Sequence, residues 1–225
     1  MASALAVVIG ANGGIGGALR AELQNTAGVD LVIGLGRPGL DLCDEGSIAR
    51  AVAEMPAGEL RLVINAAGLL QDAEQRPEKA MRDLDPAHLA RAFAVNAIGP
   101  ALLMKHFLPR LARKGRAVFA GLSARVGSIG DNRLGGWYGY RASKAAFNQL
   151  LRTAAIELAR THPEAICVAL HPGTVATRLS APFVRLGQPV LTPEEAANHL
   201  LAVLNGLQPV DSGNFFDWRG APVPW

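Results

Sequence analysis

Short runs rich in Val and Ile alternate along the whole chain with segments of helical periodicity. The runs are "ALAVVIG" (4–10), "DLVIGLG" (30–36), "LRLVINAAG" (60–68), "RAVFAGLS" (116–123), "AICVALHPG" (165–173) and "GNFFDW" (213–218). Between and after them, helical patterns lie at 15–27, 46–55, 86–113, 139–161 and 192–207. A strand that is apolar on both faces is covered on both faces. Strand–helix alternation with such strands means a parallel sheet between two helical layers, an α/β fold. No internal repeat and no linker divides the sequence, so a single domain over 1–225 is expected.

One connection breaks the pattern. From "GLGR" to "LDLCDE" only a few residues intervene. A parallel crossover needs about a dozen or more. The second crossover helix is therefore absent, and a third, short strand near 40–42 is expected. The helix over 86–113 holds Gly99 and Pro100, where a bend or break is expected. The last helix has Thr192 as N-cap, Pro193 in its first turn and Glu195 at the capping-box position.

Composition removes several function classes. Half the residues are hydrophobic, 18% are charged and the formal net charge is +3, with the basic residues dispersed. That is globular, with no nucleic-acid footprint. No apolar run reaches the ~18 residues of a membrane helix. The N-terminus lacks a charged leader and passes straight into glycines, so it reads as a first strand. Cys43 and Cys167 are read as two buried free thiols in a reducing cytoplasm. The five histidines show no paired ligand spacing, so no metal is expected.

"GANGGIGGAL" follows the first strand directly and opens a helix. Gly10, Gly14 and Gly16 let the backbone pass close to a pyrophosphate, and the helix N-terminus offers unpaired N–H groups. At the end of the second strand, a NAD site carries Asp or Glu for the ribose 2′-hydroxyl. Here stand Gly36 and Arg37. A guanidinium without an acid suits a 2′-phosphate, hence NADP(H) over NAD(H); the alternative is that Arg37 is a solvated turn residue.

Taken together, "GANGGIG", "NAAG" (65–68), "VNAIG" (95–99), "YRASK" (140–144) and "HPGTVAT" (171–177) resemble the motifs of the short-chain dehydrogenase/reductase family, in order and over nearly the whole chain. The short link after the second strand and "SARVGSI…GGWYGYRASKAA" look like its C-factor-like branch. The resemblance implies a Rossmann-type, doubly wound sheet of about seven strands. It also implies NAD(P)-linked reduction of a ketone or aldehyde, or the reverse oxidation. It places the cofactor on Gly10, Asn12, Gly13, Gly14, Ile15, Gly16, Arg37, Asp41, Leu42, Asn65, Ala66, Ala67, Gly68, Asn96, Tyr140, Lys144, Pro172, Gly173, Val175 and Thr177. The implied partner is a small carbonyl or alcohol substrate, and the implied assembly a homo-oligomer, dimer or tetramer.

The chemistry asks for a proton donor. Hydride arriving at a carbonyl carbon leaves an alkoxide. A free tyrosine, with a pKa of about 10, exchanges protons poorly near neutrality, and a nearby cation lowers that value. Positions i and i+4 share a helix face. Tyr140 and Lys144 have that spacing and Tyr138 does not, which makes Tyr140 the general acid/base and Tyr138 a pocket-wall or packing residue beside Trp137. By resemblance, Lys144 also holds the nicotinamide ribose. Asn96 either bonds neighbouring backbone or, by resemblance, positions a water in a relay to Lys144. Asn65 either binds cofactor backbone or staples strands. The family's carbonyl-binding serine falls on Ala124. Ser123 or Ser128 stands in, with Ser123 favoured, or the oxyanion donor is weak. The stretch 178–191 is the expected substrate lid, with Gly135 and Gly136 a flexible lead-in to the loop before Tyr140.

Overall fold

The computed structural model of the chain describes residues 3–72, 76–183 and 189–225. Six strands form one parallel sheet: β1 (Ala4–Ile9), β2 (Leu31–Leu35), β3 (Glu59–Asn65), β4 (Ala117–Leu122), β5 (Ala165–His171) and β6 (Phe215–Asp217). Their spatial order is β2-β1-β3-β4-β5-β6. The helices are α1 (Gly14–Gln24), α2 (Glu45–Ala53), α3 (Pro86–Phe93), α4 (Gly99–Phe107), α5 (Tyr138–Leu158) and α6 (Pro193–Gly206).

Strand alternation sorts the core into two layers. Leu5, Val7, Ile9, Ala117, Phe119, Ala165 and Cys167 pack with Ile48 and Val52 of α2, Leu103 and Phe107 of α4, and Phe147 and Leu151 of α5. Ala6, Val8, Val118, Ala120, Ile166 and Val168 face the other way, against Leu19 and Leu23 of α1 and Leu200 and Leu204 of α6. At Gly121 a Cβ would stand 2.3 Å from Phe147 Cζ, so the missing side chain is what lets α5 settle on β4.

The expected short strand at 40–42 is absent, which makes six strands instead of seven among the described residues. Its backbone groups are taken by a turn. Leu40 N–H donates to Gly36 O (3.1 Å) and Asp41 N–H to Ser47 Oγ (2.9 Å). Leu40 and Leu42 still enter the core. A link this short leads straight into α2 without laying down a ladder. Cys43, on that turn, is exposed; Cys167, on β5, is buried. The expectation of two buried thiols therefore fails at Cys43.

The helix over 86–113 departs from α geometry at Ala94–Ile98, which forms a π turn between α3 and α4. Pro100 has no N–H for the Asn96 carbonyl four residues back, and a Cβ on Gly99 would stand 2.6 Å from Leu42 Cβ. Pro86–Arg110, at 25 residues and a mean hydropathy of 1.2, is long and apolar enough to cross a membrane. In this fold that apolarity has another use, since Leu103, Met104, Phe107 and Leu108 lie in the core. The capping box of α6 forms as expected: Glu195 N–H donates to Thr192 Oγ1 (3.1 Å), and Thr192 N–H to Glu195 Oε2 (2.8 Å).

Candidate active site

In an open parallel sheet, ligands sit beyond the carboxyl ends of the strands where the strand order reverses. Here that is between β1 and β3, since β2 lies to one side of β1 and β3 to the other. The glycine loop leaves β1 at this point. Gly10 has φ +80°, a left-handed conformation, and a Cβ there would stand 2.8 Å from Ala67 N. At Gly16 a Cβ would stand 2.1 Å from Gly10 O. α1 thus starts pressed against its own loop, with Ile15 on its first turn.

The N-terminus of α1 has no side-chain cap, and its first turn carries no acidic residue. Its orphan N–H groups and positive dipole end are therefore open to an anion. Gly13 is its N-cap, and Gly14 faces Thr177, whose Cγ2 would lie 2.9 Å from a Cβ at 14. This cradle fits a pyrophosphate. Asn12 Nδ2 donates to Arg37 O (3.3 Å), which ties the loop to the end of β2. Asp41 accepts from Cys43 N–H (2.9 Å) and shapes its own turn, while Leu42 is buried.

After β3, Asn65 Oδ1 accepts the Ala67 N–H (3.1 Å), so its side chain shapes the turn it belongs to. Ala66 N–H donates to Ile9 O (2.9 Å). Gly68 is the meeting point. A Cβ there would stand 3.3 Å from Asn96 Oδ1 and 3.4 Å from Lys144 Nζ. Asn96, fully buried in the π turn, donates to Leu69 O (2.7 Å) and accepts Leu69 N–H (2.8 Å). Its Nδ2 also reaches Ser143 Oγ (3.2 Å), which itself donates to Tyr140 O (3.0 Å).

Tyr140 and Lys144 do share a face of α5. Lys144 Nζ lies 5.9 Å from the Tyr140 ring centroid and donates to Leu122 O (2.8 Å). Their titration differs from the expectation. Burial pushes the Tyr140 phenol up to about 12 and the Lys144 amine down to about 8. Burial alone sets the direction of the phenol's shift in this state.

The serines lie elsewhere. Ser123 Oγ donates to Asn148 Oδ1 (2.6 Å). Asn148 lies eight residues beyond Tyr140, about 12 Å further along the helix. Ser128 Oγ accepts Asp131 N–H (3.1 Å). Both hydroxyls are thus engaged with groups other than Tyr140, and Ala124, two residues past the end of β4, has an extended backbone.

Beyond β5, Pro172 leads into Gly173, with φ +82° and a Cβ position 2.9 Å from Trp218 Cδ1. Val175 is buried and bridges to Leu191. Of the expected lid over 178–191, residues 184–188 lie outside the described residues. Gly135 and Gly136 take left-handed conformations with φ +63° and +65°.

Two contributors carried no sequence signal. Glu78, buried in the segment before α3, accepts the Gly139 N–H at Oε2 (3.1 Å) and so caps α5 from 61 residues away. Leu122 contributes only a carbonyl, and a carbonyl leaves no mark in a sequence.

Comparison with known proteins agrees with this geometry. A family model described as enoyl-(acyl carrier protein) reductase matches residues 15–203. The C-signal of Myxococcus xanthus is 39% identical over 147 residues, 65% of this chain and 84% of that protein. The 1-hydroxy-2-glutathionyl-2-methyl-3-butene dehydrogenase of Rhodococcus sp. (strain AD45) is 32% identical over 190 residues, 84% of this chain and 79% of that one. The NADPH-bound carbonyl reductase from chicken fatty liver superposes with a TM-score of 0.84 at 28% identity, covering 100% of this chain and 99% of that one. The glycine cradle, the Tyr140–Lys144 face and these matches place the chain in the short-chain dehydrogenase/reductase family, as an oxidoreductase of that type.

Proposed function

We propose that the chain is an NADPH-dependent reductase of a small ketone or aldehyde, with Tyr140 as proton donor. The observation that carries this reading is the convergence of Gly68, Asn96 and Lys144 beside Tyr140, next to an uncapped α1. Gly10, Gly13, Gly14, Gly16 and Thr177 would hold the pyrophosphate, and Arg37 the 2′-phosphate. The carbonyl reductase from chicken is described with NADPH bound, which supports that preference. When bound, the nicotinamide supplies a hydride to the carbonyl carbon.

The Tyr140 Oη–H bond breaks toward the carbonyl oxygen, and the Lys144 ammonium opposes the phenolate charge that remains. Asn96 spends its amide on Leu69 and Ser143, so its side chain fixes the turn after β3. A water relay to Lys144 would use its backbone carbonyl, which Pro100 leaves without an α-helical donor. With Ser123 and Ser128 committed elsewhere, the site works with Ala124 and a weak oxyanion donor. Ile98, Leu150 and Ile156, large and exposed on the π turn and α5, offer the apolar surface for a homo-oligomer.

A second reading is a cofactor-binding sensor with little turnover. The committed serines favour it, as does the likeness to a protein named for signalling. One experiment separates them: thermal unfolding with NADPH or NADH, together with NADPH oxidation over a ketone and aldehyde panel. NADPH raises the melting temperature more than NADH, and Arg37→Ala removes the difference. Tyr140→Phe keeps the NADPH shift and loses about 100-fold or more of the turnover. A shift without wild-type turnover selects the sensor; no shift with either cofactor overturns both readings.

A further inference from the structure

Trp137 stands in a backbone conformation that its side chain disfavours. Its φ is +53° and ψ +44°, and it is the non-glycine residue with positive φ among the described residues. For a bulky residue this is an outlier, and such outliers persist only where the surroundings impose them. The surroundings do so from two sides. Trp137 N–H donates to Glu78 O (2.5 Å), while the Glu78 carboxylate takes the Gly139 N–H. From the other side Arg141 donates to Gly136 O (2.9 Å), Gly135 O (3.1 Å) and Val126 O (3.3 Å). A glycine would occupy this position without strain, so the indole is what the strain keeps in place.

The indole is half-buried and lies between two other rings. It meets Tyr140 at 6.3 Å and 69°, and Phe183 at 5.0 Å and 66°, both edge-on. Phe183 belongs to the segment after β5, just beyond Thr177. The row Phe183–Trp137–Tyr140 therefore runs from that segment to the proposed proton donor. A carbonyl at Tyr140 that carries a substituent on the side of this row meets the indole.

We propose that Trp137 is the specificity-determining wall of this site, and that it selects carbonyl compounds bearing an aryl group next to the carbonyl over those bearing short alkyl groups. An aryl ring extends the existing edge-to-face row, whereas a methyl group gives the indole quadrupole no partner. This inference rests on the reductase reading above.

The test compares kcat/KM for 1-phenyl-1,2-propanedione and 2,3-butanedione, a phenyl-for-methyl pair, at saturating NADPH. The wild type favours the phenyl substrate by about tenfold or more. Trp137→Gly suits the left-handed backbone and so keeps the fold; it collapses the ratio toward one. Trp137→Phe restores most of it, which a purely structural role would not do. Phe183→Ala, in a different segment, lowers the ratio in part and provides a second measure. A ratio unchanged by Trp137→Gly, with turnover intact, overturns this inference alone. An equal loss on both substrates overturns it as well. Wild-type failure to turn over either diketone, or any other carbonyl, overturns the reductase reading and this inference with it.

Discussion

Tyr140 and Lys144 were legible as a pair because i, i+4 adjacency is a property of the helix itself. Their protonation was not legible. It depends on burial, which other elements complete: Lys144 Nζ donates to the Leu122 carbonyl on β4, and the Phe147 ring of α5 itself lies 5.8 Å from it. The sign of the consequence follows from the two shifts. Between pH of about 8 and 10.5, the unfolded chain holds a proton that folded Lys144 has lost, so stability rises with pH. Above about 9 the unfolded Cys167 thiol ionises, and above about 10 the unfolded tyrosine, while both groups stay protonated in the fold up to about 12, so the rise levels off and stability then falls. Urea midpoints measured from pH 7 to 11 will climb and then turn over, and Lys144→Met will remove the climb. Reductive kcat/KM will fall as pH passes about 8 and the Lys144 charge is lost. The serine was harder to read, because Ser123 and Ala124 are neighbours that alternate across a strand end. With Ser123 turned to Asn148, Ala124→Ser supplies the hydroxyl the site lacks, and kcat for ketone reduction is expected to rise by about tenfold or more.

At the scale of the elements, strands and helices announced themselves through periodicity, and their ends moved by only a few residues. The runs at 60–68 and 165–173 extended past β3 and β5 because "AAG" and "PG" are apolar or small without being paired. The end after β3 packs on the glycine loop, where a Cβ on Gly10 would stand 2.8 Å from Ala67 N. The bend near Gly99 was anticipated, whereas its form as a π turn at Ala94–Ile98 was not, since hydrogen-bond register leaves no compositional trace. The Glu78 cap on α5 was invisible for a similar reason: local capping rules look a few residues upstream, and this carboxylate comes from 61 residues away. The glycine loop is the tightest of the element junctions described above. A methyl group on Gly16 would sit 2.1 Å from Gly10 O, too near for the loop to keep its course. Gly16→Ala will lower the melting temperature of the apo protein and abolish the NADPH-induced rise, as thermal unfolding with and without cofactor will show.

For the whole molecule, the parallel α/β architecture followed from burial on both strand faces, and the two-layer core bears that out. The count of strands did not follow. Three apolar-flanked residues at 40–42 read as a strand, yet they lack the length to reach the sheet and then enter α2. The sheet consequently ends at β2 on one side, while at β6 the chain folds back over the other edge, with Asp217 N–H on Ala221 O and Val223 N–H on Phe215 O. Among the described residues no strand pairs with the outer side of β2: its row of peptide groups is a template for any extended segment, and Leu31 stands 44% exposed beside it. Warmed at high concentration, the protein is expected to lose soluble material by strand-to-strand growth, followed by thioflavin fluorescence. Leu31→Lys, which sets a charge on that rim, should slow the growth without moving the melting temperature. The economy of a nine-residue link between β2 and α2 is thereby matched by a limit on how crowded a solution the fold can tolerate.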